Sequence, residues 1–110
     1  MASTFKVHNS KNITTSLTAV NSYAVASSTN TTVIGLSFCN TSNNSINVTA
    51  AVSNATVDTY LIYNAPLPVG SALSVVGGDQ KVVLQANMSI KVSASANSAC
   101  DVSMSILEIT

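Results

Sequence analysis

The side chains able to do chemistry in this chain are few and far apart. His8 is the sole imidazole, and its own strand offers no second base, nucleophile or carboxylate. Acid–base catalysis and metal binding both need positioned partners, so His8 reads as an exposed or simply packed ring. The only carboxylates are Asp58, Asp79, Asp101 and Glu108. Calcium loops set acidic ligands at alternate positions, whereas these four are scattered among loops and strand ends, which suits turn chemistry and solubility. Cys39 and Cys100 lie too far apart for a zinc or redox C-x-x-C motif. Two buried thiols packing as small hydrophobes are expected, although each cysteine lies beside a predicted strand and the pair could meet. Gly77-Gly78 lacks the Lys-Ser/Thr pair and the following helix of a phosphate loop, and reads as a hairpin turn. No catalytic residue, cofactor site or metal site is expected.

Aromatic side chains are the remaining candidates. Tyr23, Tyr60 and Tyr63 could serve as stacking platforms, but single-stranded nucleic acid also needs a cationic groove. Four lysines and no arginine supply too little charge, so nucleic acid is not an expected partner. Sugar binding stays open. Simple strand alternation places Tyr60 and Tyr63 on opposite faces, which leaves one of them for a partner; tyrosine suits interfaces through its area and polar tip. The run Pro66-Leu67-Pro68-Val69-Gly70 stiffens the backbone and then frees φ for a sharp turn. That role needs no ligand, but it would also hold Leu67 and Val69 out as an apolar contact. The candidate partner interface is therefore Tyr60, Tyr63, Leu67 and Val69.

Composition narrows the class. Apolar residues make up 46 % of the 110 positions, enough for a core, and charged residues only 7 %, with a formal net charge of zero. Disordered chains are less apolar and more charged. A neutral surface has no long-range pull on phosphate or an anionic membrane, and it favours association over a free monomer. The first residues show no basic segment followed by an apolar stretch, so no secretory leader is expected, and no apolar run approaches a bilayer span. Asn-x-Ser/Thr triplets at Asn12, Asn30, Asn47, Asn54 and Asn87 follow from the abundance of these residue types.

The elements that must carry these residues repeat with period two. Val33–Cys39 sends Ile34, Leu36 and Phe38 to one face; Ile46, Val48, Ala50 and Val52 alternate with Asn47 and Thr49. Ile90, Val92 and Ala94 follow the same scheme, as do Val102, Met104 and Ile106. Phe5–His8 and Ile13–Val25 add one or two strands. Polar turns are predicted over Asn40–Ser45, at Gly77-Gly78-Asp79 between Leu73–Val76 and Lys81–Leu84, at Ala86-Asn87 and at Ala96–Ser98. Pro66 and Pro68 fall in the connection after a Thr59–Tyr63 strand. These signals predict an all-β fold: one domain over residues 1–110, an antiparallel β-sandwich or jelly-roll-like fold of about eight strands.

From Leu61 onward the cadence resembles small virion structural proteins of tailed bacteriophages, notably marine and cyanobacterial ones. The Pro66–Gly70 connection, the Lys81-Val-Val-Leu84 strand and the closing Ser105-Ile-Leu-Glu108 strand carry the likeness. Asn87-Met88 stands where such proteins often read Gly-Asp. The resemblance implies a non-enzymatic protein of the virion, assembled in the host cytoplasm. In that setting the expected role is capsid decoration, with a homo-oligomer bridging subunits of the major capsid protein or binding other virion proteins. A tail, neck or fibre adaptor and a carbohydrate-binding or adhesin module are the alternatives.

Overall fold

Alternating apolar and Ser/Thr/Asn residues give strands with one wet and one dry face, and two such sheets close on each other here. The structure is a computed structural model that describes residues 3–54, 56–77 and 81–110. Its strands are β1 (Ser3–Ser10), β2 (Thr18–Ala19), β3 (Asn30–Asn40), β4 (Ile46–Ser53), β5 (Asp58–Leu67), β6 (Ala72–Val76), β7 (Val82–Leu84), β8 (Ser89–Ala94) and β9 (Cys100–Ile109). A short 3-10 turn, Val20–Ser22, follows β2. One sheet runs β1-β9-β3-β6, with β7 also on β3; the other runs β2-β8-β4-β5. All the pairings are antiparallel. The chain crosses repeatedly between the sheets, and this order is that of a jelly roll.

The predicted inward sets mostly face the core. Leu36, Phe38, Ile46, Val48, Ala50, Ile90, Val92, Ala94, Val102, Met104 and Ile106 are all buried, and Val52 packs against them. One alternation fails. Between Val33 and Gly35 the β3–β9 register slips: Val33 pairs with Ile106 and Gly35 with Ser105, so Ile34 is an extra residue. The bulge turns Ile34 out of the core, and Val33 is the buried residue in its place. Val33→Ala should therefore cost about 2–3 kcal/mol from two lost methyl groups and the cavity they leave. Ile34→Ala should cost under about 1 kcal/mol. Urea titrations of the two variants compare them directly, and a reversed order would contradict the bulge.

Two turn assignments change. Lys81–Leu84 does not fold back on Leu73–Val76 as a hairpin. β6 pairs with β3 over Leu36–Cys39 and β7 pairs with β3 over Thr31–Val33, so the two lie end to end along one edge. A glycine pair breaks a strand as readily as it reverses one, and the local sequence does not encode the pairing partner. Gly78 and Asp79 themselves lie outside the described residues. Pro66, expected in a connection, sits inside β5 opposite Asn47. β5 is an edge strand, where a missing N–H costs no ladder. The polar turns over 41–45, at Ala86-Asn87 and at Ala96–Ser98 form as expected, with Asn87 and Ser98 left-handed.

Candidate partner interface

Of the four expected interface residues, the structure brings two together and removes one. Along β5 the register against β4 slips twice: Ala65 faces Val48, Ile62 faces Ala50 and Tyr60 faces Ala51. Each slip inserts one residue into β5. The slip between Tyr60 and Ile62 reverses the parity of the strand, so Leu61 and Ile62 both pack toward the core while Tyr60 and Tyr63 turn out together. Their rings meet edge to face at 4.9 Å between centroids, at 50 % and 65 % exposure. Opposite faces were expected, and the bulges are the reason for the difference. At the second slip Asn64 takes φ 49°, and its N–H donates to the Thr49 hydroxyl at 3.1 Å. The hydroxyl thus satisfies a donor that the bulge releases from the ladder.

Leu67 is not an exposed contact. It ends β5 opposite Ile46 and is 1 % exposed, because the strand continues through Pro66 and carries the leucine into the core. Val69 is exposed. It rides a tight turn in which Ser71 donates to the Pro68 carbonyl through both N–H (3.2 Å) and hydroxyl (2.7 Å). Gly70, at φ 69°, supplies the left-handed residue such a turn requires.

A second surface escaped the sequence reading. In β1, Lys6 and His8 lie opposite buried Ile106 and Met104, so Phe5 and Val7 point outward. Phe5 pairs across with Leu107, Leu107 with Thr32 and Thr32 with Val83, forming one row over four strands. Phe5 is 74 %, Val83 62 % and Val7 58 % exposed; displaced Ile34 borders the same face beside Phe5 and Val7. Apart from Thr32 the row is apolar and it carries no charge, which makes it an exposed apolar patch of the kind found at contact surfaces. The available signal was the Phe5-Lys6-Val7-His8 alternation, legible only once Lys6 is known to face inward.

Behind that patch the ionisable groups clasp one another. Glu108 receives the Lys6 ammonium at 2.8 Å and the Tyr23 hydroxyl at 2.6 Å, and the same hydroxyl lies 2.9 Å from the Thr31 Oγ1. Hydrogen bonds from Lys6 and Tyr23 hold the Glu108 carboxyl below its usual range. Burial, together with the Glu108 hydrogen bond, pushes the Tyr23 phenol up to about 12. His8 finds partners outside its strand, stacking on Tyr23 at 4.2 Å between ring centroids and meeting Asn21 at 3.1 Å through Nδ1. The group ties β1, β3, β9 and the segment after β2 together. Its chemistry is that of a structural clasp, with a phenol held neutral and a carboxylate held charged. Asp101 pairs with Lys11 at 3.7 Å and accepts the Asn12 N–H. Among the described residues no three His, Cys, Asp or Glu side chains gather where a metal could sit.

The cysteines correct a further expectation. Cys39 faces Asp101 and Cys100 faces Asn40 on neighbouring strands, so the two thiols project to opposite sides of one sheet and stay free. Cys100 is buried, and burial pushes its thiol up to about 11, while Cys39 is exposed rather than packed. A soluble alkylating reagent should modify one thiol per native chain, at Cys39, and both after denaturation. Intact-mass measurement before and after denaturant reads this out, and native modification at Cys100 would refute the placement.

No protein-family model and no curated protein matches this chain. Solved structures do share its fold. A chain from the disulfide-linked pili of Bacillus endospore appendages aligns with a TM-score of 0.58 at 11 % identity, covering 99 % of this chain and 87 % of that one. A chain from the acid-stable capsid of Helicobacter pylori bacteriophage KHP30 aligns with the same TM-score at 10 % identity, covering 100 % and 89 %.

Proposed function

We propose that this protein is a structural component of a phage virion, in which it decorates and stabilises the capsid by bridging subunits of the major capsid protein. The observation that carries the proposal is the charge-free row of Phe5, Leu107, Thr32 and Val83, apolar but for the threonine and displayed on a sheet. Such a face contributes shape and apolar area and does no chemistry. The fold it shares with chains of a phage capsid and of pili supports an assembly role, because both are built from many subunits. That support extends to phage structural proteins in general and not to a marine or cyanobacterial origin. Attachment would be passive, fastening neighbours through apolar and Ser/Thr/Asn contacts, without catalysis, nucleic acid or membrane.

Quantitative mass spectrometry of intact particles tests the location. Copies in numbers comparable to the capsid subunits are expected; a single small ring per particle would move the protein to the tail or neck. Because the contact surface is uncharged, the protein should stay on particles washed in high salt, which screens surface ion pairs. Release by moderate salt would overturn the mechanism. The Tyr60–Tyr63 pair favours a second reading, a carbohydrate-binding or adhesin module, since exposed paired rings suit sugar faces. A glycan array without binding would remove it.

A further inference from the structure

The two sheets have four free edges, and three of them are spoiled for pairing. β2 is two residues long, β5 carries two bulges and Pro66, and the β3 side of the first sheet is divided between β6 and β7. Short strands, bulges and prolines are the ordinary means by which proteins prevent edge-to-edge association. β1 has none of them. It pairs with β9 over eight residues without a register shift and contains no proline. Its inward Lys6, a charge that would otherwise discourage pairing, is neutralised by Glu108 within the chain. Among the described residues, the turn after β2 bonds to inward side chains of β1, through the Asn21 contacts to Ser10 Oγ and His8 Nδ1. Among the described residues no backbone bond beyond the β9 ladder engages Ser3–Ser10.

We infer that β1 is a self-association edge, which pairs antiparallel with β1 of a second copy about a two-fold axis and joins two sheets into one. A second copy meets this edge with the same strand, because among the described residues it offers no other unbulged, proline-free edge of that length. Symmetry and side-chain parity then set the register. Outward residues of β1 are odd-numbered and inward ones even, and facing residues of an antiparallel pair share a side. The axis must therefore pass through a residue. Centring on Lys6 would set two ammonium groups opposite each other, a repulsive pair. Centring on Phe5 pairs, among the described residues, only 3–7. Centring on Val7 pairs residues 4–10, with Val7 against the partner's Val7, Lys6 against the partner's His8 and Phe5 against the partner's Asn9. Exposed Phe5 and Val7 then gain cover at the seam. This inference rests on the sheet edges alone, so it stands or falls separately from any location in a particle.

Sedimentation velocity of the purified full chain across a concentration series should show a monomer–dimer equilibrium. Val7→Lys sets like charges face to face and should raise the dimer dissociation constant at least roughly tenfold. It should leave circular dichroism and the thermal midpoint of the monomer unchanged, because Val7 is exposed. In a Cys39→Ser background, Val7→Cys should cross-link two copies under mild oxidation, since facing residues of an antiparallel pair lie within disulfide reach. Phe5→Cys should not. A chain that stays monomeric at every concentration overturns the inference, as would a dimer indifferent to Val7→Lys. Cross-linking through Phe5→Cys but not Val7→Cys would overturn the register.

Discussion

Asn40→Asp, a change of one atom type with no change of shape, should destabilise the fold by about 3–5 kcal/mol at neutral pH. Asn40 is 2 % exposed at the end of β3. Its Nδ2 donates to the carbonyls of Asn44 (2.9 Å), Leu67 (3.0 Å) and Pro68 (3.2 Å), while Oδ1 accepts from the N–H (2.9 Å) and hydroxyl (2.8 Å) of Ser42. A carboxylate keeps the second set of bonds but turns an oxygen toward three carbonyl oxygens. Such a penalty raises the new carboxyl's folded-state pKa above its ordinary value, so the variant's deficit should shrink as pH falls from neutral and level off below about pH 4, where protonation has restored a donor in full. Asn40→Ala removes the repulsion but strands buried partners, and should cost about 2–3 kcal/mol. Urea midpoints across pH measure all three proteins. If Asn40→Asp stays within about 1 kcal/mol of the parent, the side chain does not organise this end of the sandwich.

Tyr23→Phe should cost about 2 kcal/mol, the scale of a hydrogen bond to a charged group, and should change how stability depends on pH. Glu108 is held low in the folded state, so its stabilisation is present above the ordinary carboxyl range near 4.3 and is lost as pH falls through the lowered value. Tyr23 and Cys100 are raised, to about 12 and about 11. Their contributions are intact below the unfolded values, near 10 and 8.5, and fade as pH rises toward the folded ones. The parent should thus show a broad plateau with losses at both ends. Removing the phenol hydroxyl takes a donor from Glu108, which moves the acid loss to higher pH and lessens the alkaline one. Thermal melts from acid to alkaline pH decide it; an unmoved acid limb would mean that Tyr23 does not support the carboxylate.

The strand content and most of the core were legible in the sequence because period-two alternation is a local property. Ile90, Val92 and Ala94 face inward as read, and so do Val102, Met104 and Ile106. The failures share one cause. Ile34, Leu61 and Asn64 sit at register slips, and a slip is a relation between two strands that neither strand's composition reports. The slips in β5 put Tyr60 beside Tyr63 on one face, and the strand runs on through Pro66 to bury Leu67, so one of the four expected interface residues was misplaced. The Phe5 and Val83 row was invisible for the same reason, since it exists only across β1, β9, β3 and β7. Cys39 and Cys100 were recognised as able to meet, but the side of the sheet each one faces depends on that same pairing.

The pairing of β1 with β9 joins the first strand to the last. During synthesis β1 emerges early and has no ladder to join until β9 has been made. The inner strand β3 waits equally long for β9, its neighbour across the sheet. Closure of this sheet is therefore a late event, and the long loop between β1 and β9 makes it a slow one. A fragment that stops before residue 100 lacks β9 and leaves β1 and β3 without the neighbour they share, which should make it prone to aggregation.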